Sequence, residues 1–140
     1  MLKDEIAASI ILYHPDREDL RRNISAIAPY IGTLILWRNS SEDISLAEDL
    51  PCCVVFMGDR SNRYISDPLN ECLKYCSGKG IKWLLTMDQD SEFEDFASFL
   101  ASAQNAIDCG WNDAIVFTPD INNGRYSSFD APIEIESTIT

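Results

Sequence analysis

The sequence predicts an α/β fold: a Rossmann-like, mostly parallel sheet with helices on both faces. Three observations predict it. Short apolar runs rich in β-compatible residues recur at 6–13, 33–37, 52–57, 82–88 and 114–118. Continuous runs of this kind mark strands buried on both faces. Between most of them lie segments with apolar residues at helical spacing. Strands that alternate with such helices form parallel sheets with right-handed connections.

The elements follow in order. The first run, 6–13, ends at His14-Pro15-Asp16, where Pro15 cannot continue a central strand. Asp16 is a good N-cap, and Glu18 and Asp19 suit a first helical turn. Leu20, Ile24, Ile27 and Ala28 make 17–28 amphipathic, and Pro29 follows its end. The second strand, 33–37, leads into the polar turn Arg38-Asn39-Ser40-Ser41-Glu42-Asp43; a short helix is expected at 45–49, broken by Pro51. The third strand, 52–57, closes at Gly58-Asp59. After a polar loop, Ser66-Asp67-Pro68 predicts a helix start, with Ser66 capping and Pro68 near the first helical position. Ile65, Leu69, Cys72, Leu73 and Cys76 share a face of that helix, and Gly78 and Gly80 end it. The strand 82–88 comes next. Phe96, Phe99, Leu100, Ala103 and Ile107 then predict a helix over 93–108 with Gly110 as its stop. The run 114–118 reads as a further strand, Asn122-Asn123-Gly124 as a turn, and the alternation of Ile133, Ile135 and Ile139 as a half-exposed final strand.

The composition excludes several functions. The 140 residues carry a formal charge of -12, which argues against nucleic acid as a partner and against a basic membrane-surface patch. No apolar run reaches transmembrane length. The five cysteines show no C-x-x-C spacing, and His14 is the single histidine. A zinc site is therefore not expected, and reduced, partly buried thiols in a cytoplasmic protein are. Cys72 and Cys76 are explained by the core face of their helix.

Chemistry concentrates at the strand ends. Tyr13-His14, Arg38-Asn39, Gly58-Asp59 and Asp88-Gln89-Asp90 all follow carboxyl ends of predicted parallel strands. Such tips converge on the edge where open α/β sheets bind ligands. Asp88 and Asp90 concentrate negative charge there, an arrangement suited to a hard divalent cation that in turn holds phosphate. Three readings fit. In the first, one carboxylate and a divalent cation bridge the diphosphate of a nucleotide sugar, the other carboxylate holds ribose or sugar hydroxyls, and the first two tips hold the base. In the second, Asp88 is the nucleophile and Asp90 the acid/base of a haloacid-dehalogenase-type phosphatase; that motif normally opens a chain, whereas here three strands precede it. The third is a non-catalytic domain of the same fold.

Several stretches resemble the N-terminal, nucleotide-binding half of family 2 glycosyltransferases of GT-A fold, nearest to the bacterial rhamnosyltransferase-like group. Leu12-Tyr13-His14-Pro15 resembles the family's Tyr-Asn-Pro, and Leu34 through Ser41 its Val-Asp-Asn-Gly-Ser turn. Asn62 through Asn70 resembles the Asn-x-Gly loop and following helix, and Leu84 through Ser91 the Asp-x-Asp strand. Glu134 through Thr140 resembles the strand entering the acceptor half. The resemblance implies Mg²⁺ or Mn²⁺ on Asp90 with Asp88, and donor contacts from Tyr13, His14, Arg38, Asn39, Asn62 and Asp88. It implies a single nucleotide-sugar-binding domain over 1–140, cut before the acceptor half, with the catalytic base beyond residue 140. The full enzyme would be an inverting transferase acting in polysaccharide biosynthesis on a polysaccharide or lipid-linked acceptor, cytoplasmic or at the inner face of the membrane. A missing half is expected to leave an apolar sheet edge or face that drives homo-oligomerisation. The chain departs from the family pattern at Arg38, where an acid is usual, at His14, and at Tyr64 and Cys72, where glycine is usual; these departures favour a degenerate non-catalytic domain as the alternative.

Overall fold

The structure, a computed structural model, describes residues 1–46, 49–111, 113–114 and 116–119. Four parallel strands form one sheet: β1 (Ile6–Leu12), β2 (Thr33–Arg38), β3 (Cys53–Met57) and β4 (Trp83–Asp88), in the order β3-β2-β1-β4. Helix α1 (Arg17–Ile27) connects β1 to β2, α2 (Ser66–Gly78) connects β3 to β4, and α3 (Phe96–Asp108) follows β4. Short 3₁₀ turns at Lys3–Glu5 and Ala28–Tyr30 flank β1 and extend α1. The predicted α/β class, with a parallel sheet and helices on both faces, is the observed one.

Strand alternation divides the core into two layers. Ile6, Ala8, Ile10 and Leu12 of β1 pack with Leu34 and Leu36 against Leu20, Ile24 and Ile27 of α1 and Phe96 of α3. On the other face, Ala7, Ile35 and Trp37 pack against Cys72 and Cys76 of α2. β1 is central and almost wholly buried, whereas no residue of the edge strand β3 is. Among the described residues no helix is long and apolar enough to cross a membrane.

Local signals explain the helix ends. The Asp16 carboxylate accepts from the Asp19 N–H, and Asp95 accepts from Ser98 in the same way. Both later helices close with paired backbone bonds. Gly80 N–H reaches Ser77 O and Ile81 N–H reaches Cys76 O, and Gly110 and Trp111 do likewise onto Ile107 and Ala106, the Schellman arrangement.

Some expectations fail. Ser66 is not the cap of α2: it is the first helical residue, Ile65 precedes it with no side-chain cap, and Pro68 lies inside the first turn. That turn's N–H groups lack helical partners anyway, so proline costs no bond there. Residues 114 and 116–118 form no strand. Val116 is 68% exposed and the Phe117 ring packs on Trp83. An apolar run becomes a strand only where a neighbour covers it. Ser45, Leu46 and Asp49 belong to no helix, and Ala47 and Glu48 lie outside the described residues. The turn at 122–124, the final strand and the stretch 134–140 also lie outside them.

Candidate functional site

The chain runs β1, β2, β3 outward and then crosses to the far side of β1 for β4. The strand order therefore reverses between β1 and β4, the place where open α/β sheets bind ligands beyond their carboxyl ends. Asp88 ends β4 opposite Ile11 of β1. Asp88 to Ser91 then form a tight turn, Ser91 N–H donating to Asp88 O at 3.1 Å. Met87 points into the α1/α3 layer, so alternation places Asp88 on the α2 face, beyond the part that α2 covers.

Both segments leaving this point, β1 to α1 and β4 to α3, lead to the same layer. No diverging loops open a cleft between them. Instead Gln89 fastens the gap: Tyr13 N–H donates to Gln89 Oε1 at 2.8 Å, and Gln89 Nε2 donates to Tyr13 O at 2.8 Å. This side-chain amide continues the β1–β4 ladder one rung past its last backbone pair. Asn23 of α1, 1% exposed, donates to Gln89 O at 2.8 Å. Asp88 and Asp90 are exposed, and among the described residues neither carboxylate is hydrogen-bonded or ion-paired.

The other expected donor contacts are distributed differently. Tyr13, 48% exposed, packs beside His14 at the β1 tip. His14 has φ 45° and its N–H donates to Ser40 Oγ at 3.0 Å. Its Nδ1 pairs with Glu42. The Ser40 hydroxyl and, second to it, His14 hold the Glu42 carboxyl down at about 2. Among the described residues Arg38 pairs with neither Glu42 nor Asp43 of the polar turn that follows it. Its Nη2 donates to Gly58 O and its guanidinium lies over the Phe56 ring, because β2 alternation turns it to the α1 side. Arg60 takes Asp43 instead, and Arg63 takes Asp67 while covering Trp37.

Asn39 is 3% exposed and serves the scaffold. Its Oδ1 accepts from Trp37 Nε1 at 3.0 Å and Arg63 N at 3.1 Å, and its Nδ2 donates to Tyr64 O at 2.6 Å. Asn62 is exposed, and its Oδ1 accepts from Tyr64 N at 2.9 Å. Together they hold Tyr64 at φ 61°. The position where the resemblance places glycine thus has a left-handed backbone, with a tyrosine tolerated because two asparagines pin it. Cys72 sits mid-helix and fully buried, where its thiol is pushed up to about 11 by desolvation. Sequence reasoning missed Asn23 and the Gln89 clamp; a polar residue beside Leu20, Ile24 and Ile27 was the available signal for Asn23.

A hard cation fits the Asp88–Asp90 pair only in part. Among the described residues no group of three or more His, Cys, Asp and Glu side chains is arranged for a metal. Two free carboxylates suit Mg²⁺ or Mn²⁺, which keep several waters and take further oxygens from a phosphate. No family model, curated protein or solved structure matches the chain.

Proposed function

We propose that this chain is the donor-binding part of an inverting GT-A glycosyltransferase, taking a nucleoside-diphosphate sugar through Asp88, Asp90 and Mg²⁺ or Mn²⁺. One observation carries the reading. Two exposed carboxylates, unengaged among the described residues, stand on either side of the clamped Gln89 at the carboxyl end of the strand where the sheet order reverses. The resemblance to family 2 glycosyltransferases supports the same assignment.

In this reading Asp90 holds the cation and Asp88 meets the cation or the donor hydroxyls. A divalent cation bound there supplies charge neutralisation of the departing diphosphate. Tyr13 offers an exposed ring to the base, with His14 following the β1 tip and Asn62 in the loop after β3. Arg38 lies toward the α1 face, opposite the side of Asp88, with its Nε buried and lacking a partner among the described residues. The acceptor is a polysaccharide or lipid-linked sugar, and the site is cytoplasmic. The β3 edge, unpaired among the described residues and carrying no charged residue, supports self-association of the chain.

Calorimetric titration of UDP, dTDP and GDP, with and without Mn²⁺, tests this beside Asp90→Ala. Binding that requires both the metal and Asp90 is expected. Folded protein that binds none of them refutes the reading and leaves the non-catalytic domain. Metal-dependent hydrolysis of p-nitrophenyl phosphate, lost in Asp88→Asn, would establish the phosphatase instead.

A further inference from the structure

An asparagine on the apolar face of α1 is costly unless its polar atoms are used. Burying an amide without partners is destabilising. Asn23 is 1% exposed between Leu20, Ile24 and Ile27. Its Oδ1 is buried without a partner among the described residues, and among them its side chain's one hydrogen bond is Nδ2 to Gln89 O. A leucine would serve that helix face better. The residue makes sense as the holder of one carbonyl, the one between Asp88 and Asp90.

The same turn is gripped from its other side. The Gln89 side chain forms a two-bond amide pair with the Tyr13 backbone, across 76 residues of sequence. Gln89 is thus fixed at its carbonyl by α1, at its side chain by β1, and at its N-terminal side by β4. Its φ and ψ set the directions in which the flanking residues leave the turn. Without these grips, two like charges on a four-residue turn would spread apart in solvent, and a cation would have to gather them.

We propose that Gln89 and Asn23 are positioning residues that present Asp88 and Asp90 as a preformed pair for a divalent cation. The proposal rests on the cation reading of that pair. It adds two residues that touch neither cation nor donor, and makes the rigid turn the source of affinity. Outer partners that orient ligands typically contribute ten- to hundredfold in metal affinity.

The test uses Mn²⁺ alone, followed by electron paramagnetic resonance, on the chain and on Gln89→Met, Asn23→Leu and Asp90→Ala. Hydrogen exchange at the Tyr13 amide is followed in parallel, at a temperature where every variant is folded. Asp90→Ala should abolish binding. Gln89→Met should weaken Mn²⁺ about tenfold and release the Tyr13 amide to fast exchange. Asn23→Leu should weaken Mn²⁺ while leaving Tyr13 protected, a combination that general loss of stability does not produce. Mn²⁺ bound through Asp90 but held within twofold by both other variants overturns the positioning role and leaves the cation reading standing. A wild-type chain that binds no Mn²⁺ while its Tyr13 amide is protected overturns the cation reading itself, and the proposal with it.

Discussion

Replacing Asn39 by alanine is expected to damage the fold substantially, although the residue lies at the carboxyl edge and not in the apolar core. The side chain makes three hydrogen bonds from a 3% exposed position. Trp37, also 3% exposed, would keep its indole N–H with no acceptor, at about 1–3 kcal/mol. The bonds to Arg63 N and Tyr64 O are only partly buried, so water can replace them, and each loses about 0.5–1.5 kcal/mol. Water entering the space partly offsets the first cost, so the expected loss is about 2–4 kcal/mol. With an m-value near 2 kcal/mol/M, the urea midpoint should fall by about 1–2 M with m unchanged. Asn39→Asp is the control. It retains the oxygen that serves Trp37 and Arg63 but sets a carboxylate against Tyr64 O, so it too should destabilise while the Trp37 indole N–H stays protected from exchange. A midpoint shift below about 0.5 M for Asn39→Ala, or an indole N–H equally protected in both variants, would refute the view that this residue is scaffold.

Three further outcomes are expected. Gly58→Ala should cost about 2–4 kcal/mol in urea unfolding, because Gly58 has φ 87° and an added Cβ would lie 2.7 Å from Arg38 O and 2.9 Å from Trp37 Nε1; a loss under about 0.5 kcal/mol contradicts the packing. Ellman's reagent on native protein near pH 8 should react rapidly with exposed Cys53 and Cys109, while buried Cys72 and Cys76, whose thiols burial pushes up, wait for unfolding. Rapid labelling of Cys72 would contradict its burial between α2 and the sheet. The Glu42 carboxyl is lowered from 4.5 to about 2 by Ser40 and then His14, so its contribution is complete above the unfolded value and is lost as pH falls through that window. Glu42→Gln should therefore flatten the acid-side stability profile between about pH 4.5 and 2 relative to wild type; identical profiles would show that Glu42 contributes nothing there.

Much of the fold was legible locally. Asp16 announced α1, the apolar runs announced four strands, and Gly80 and Gly110 marked helix ends, because caps and periodicity depend on residues a few positions apart. Residues 114 and 116–118 formed no strand for the complementary reason: strand character there required a neighbour that sequence does not supply. The site was half legible. Parallel strands alone place Asp88, Tyr13 and Arg38 at one edge, but they do not say which tips touch.

By itself, the sequence determined the α/β class, the parallel sense of the strands and the acidic pair at a strand's carboxyl end. These follow from spacing along the chain, which local sterics and apolar burial enforce. The tertiary structure alone decided the strand order β3-β2-β1-β4, and with it everything that bridges strands. It gave Gln89 to Tyr13, Asn23 to Gln89, Glu42 to His14 and Asp43 to Arg60, and it turned Arg38 away from both acids. A short polar side chain can satisfy many partners equally well. Which one it takes is set by the few ångströms left between elements once the apolar layers have packed.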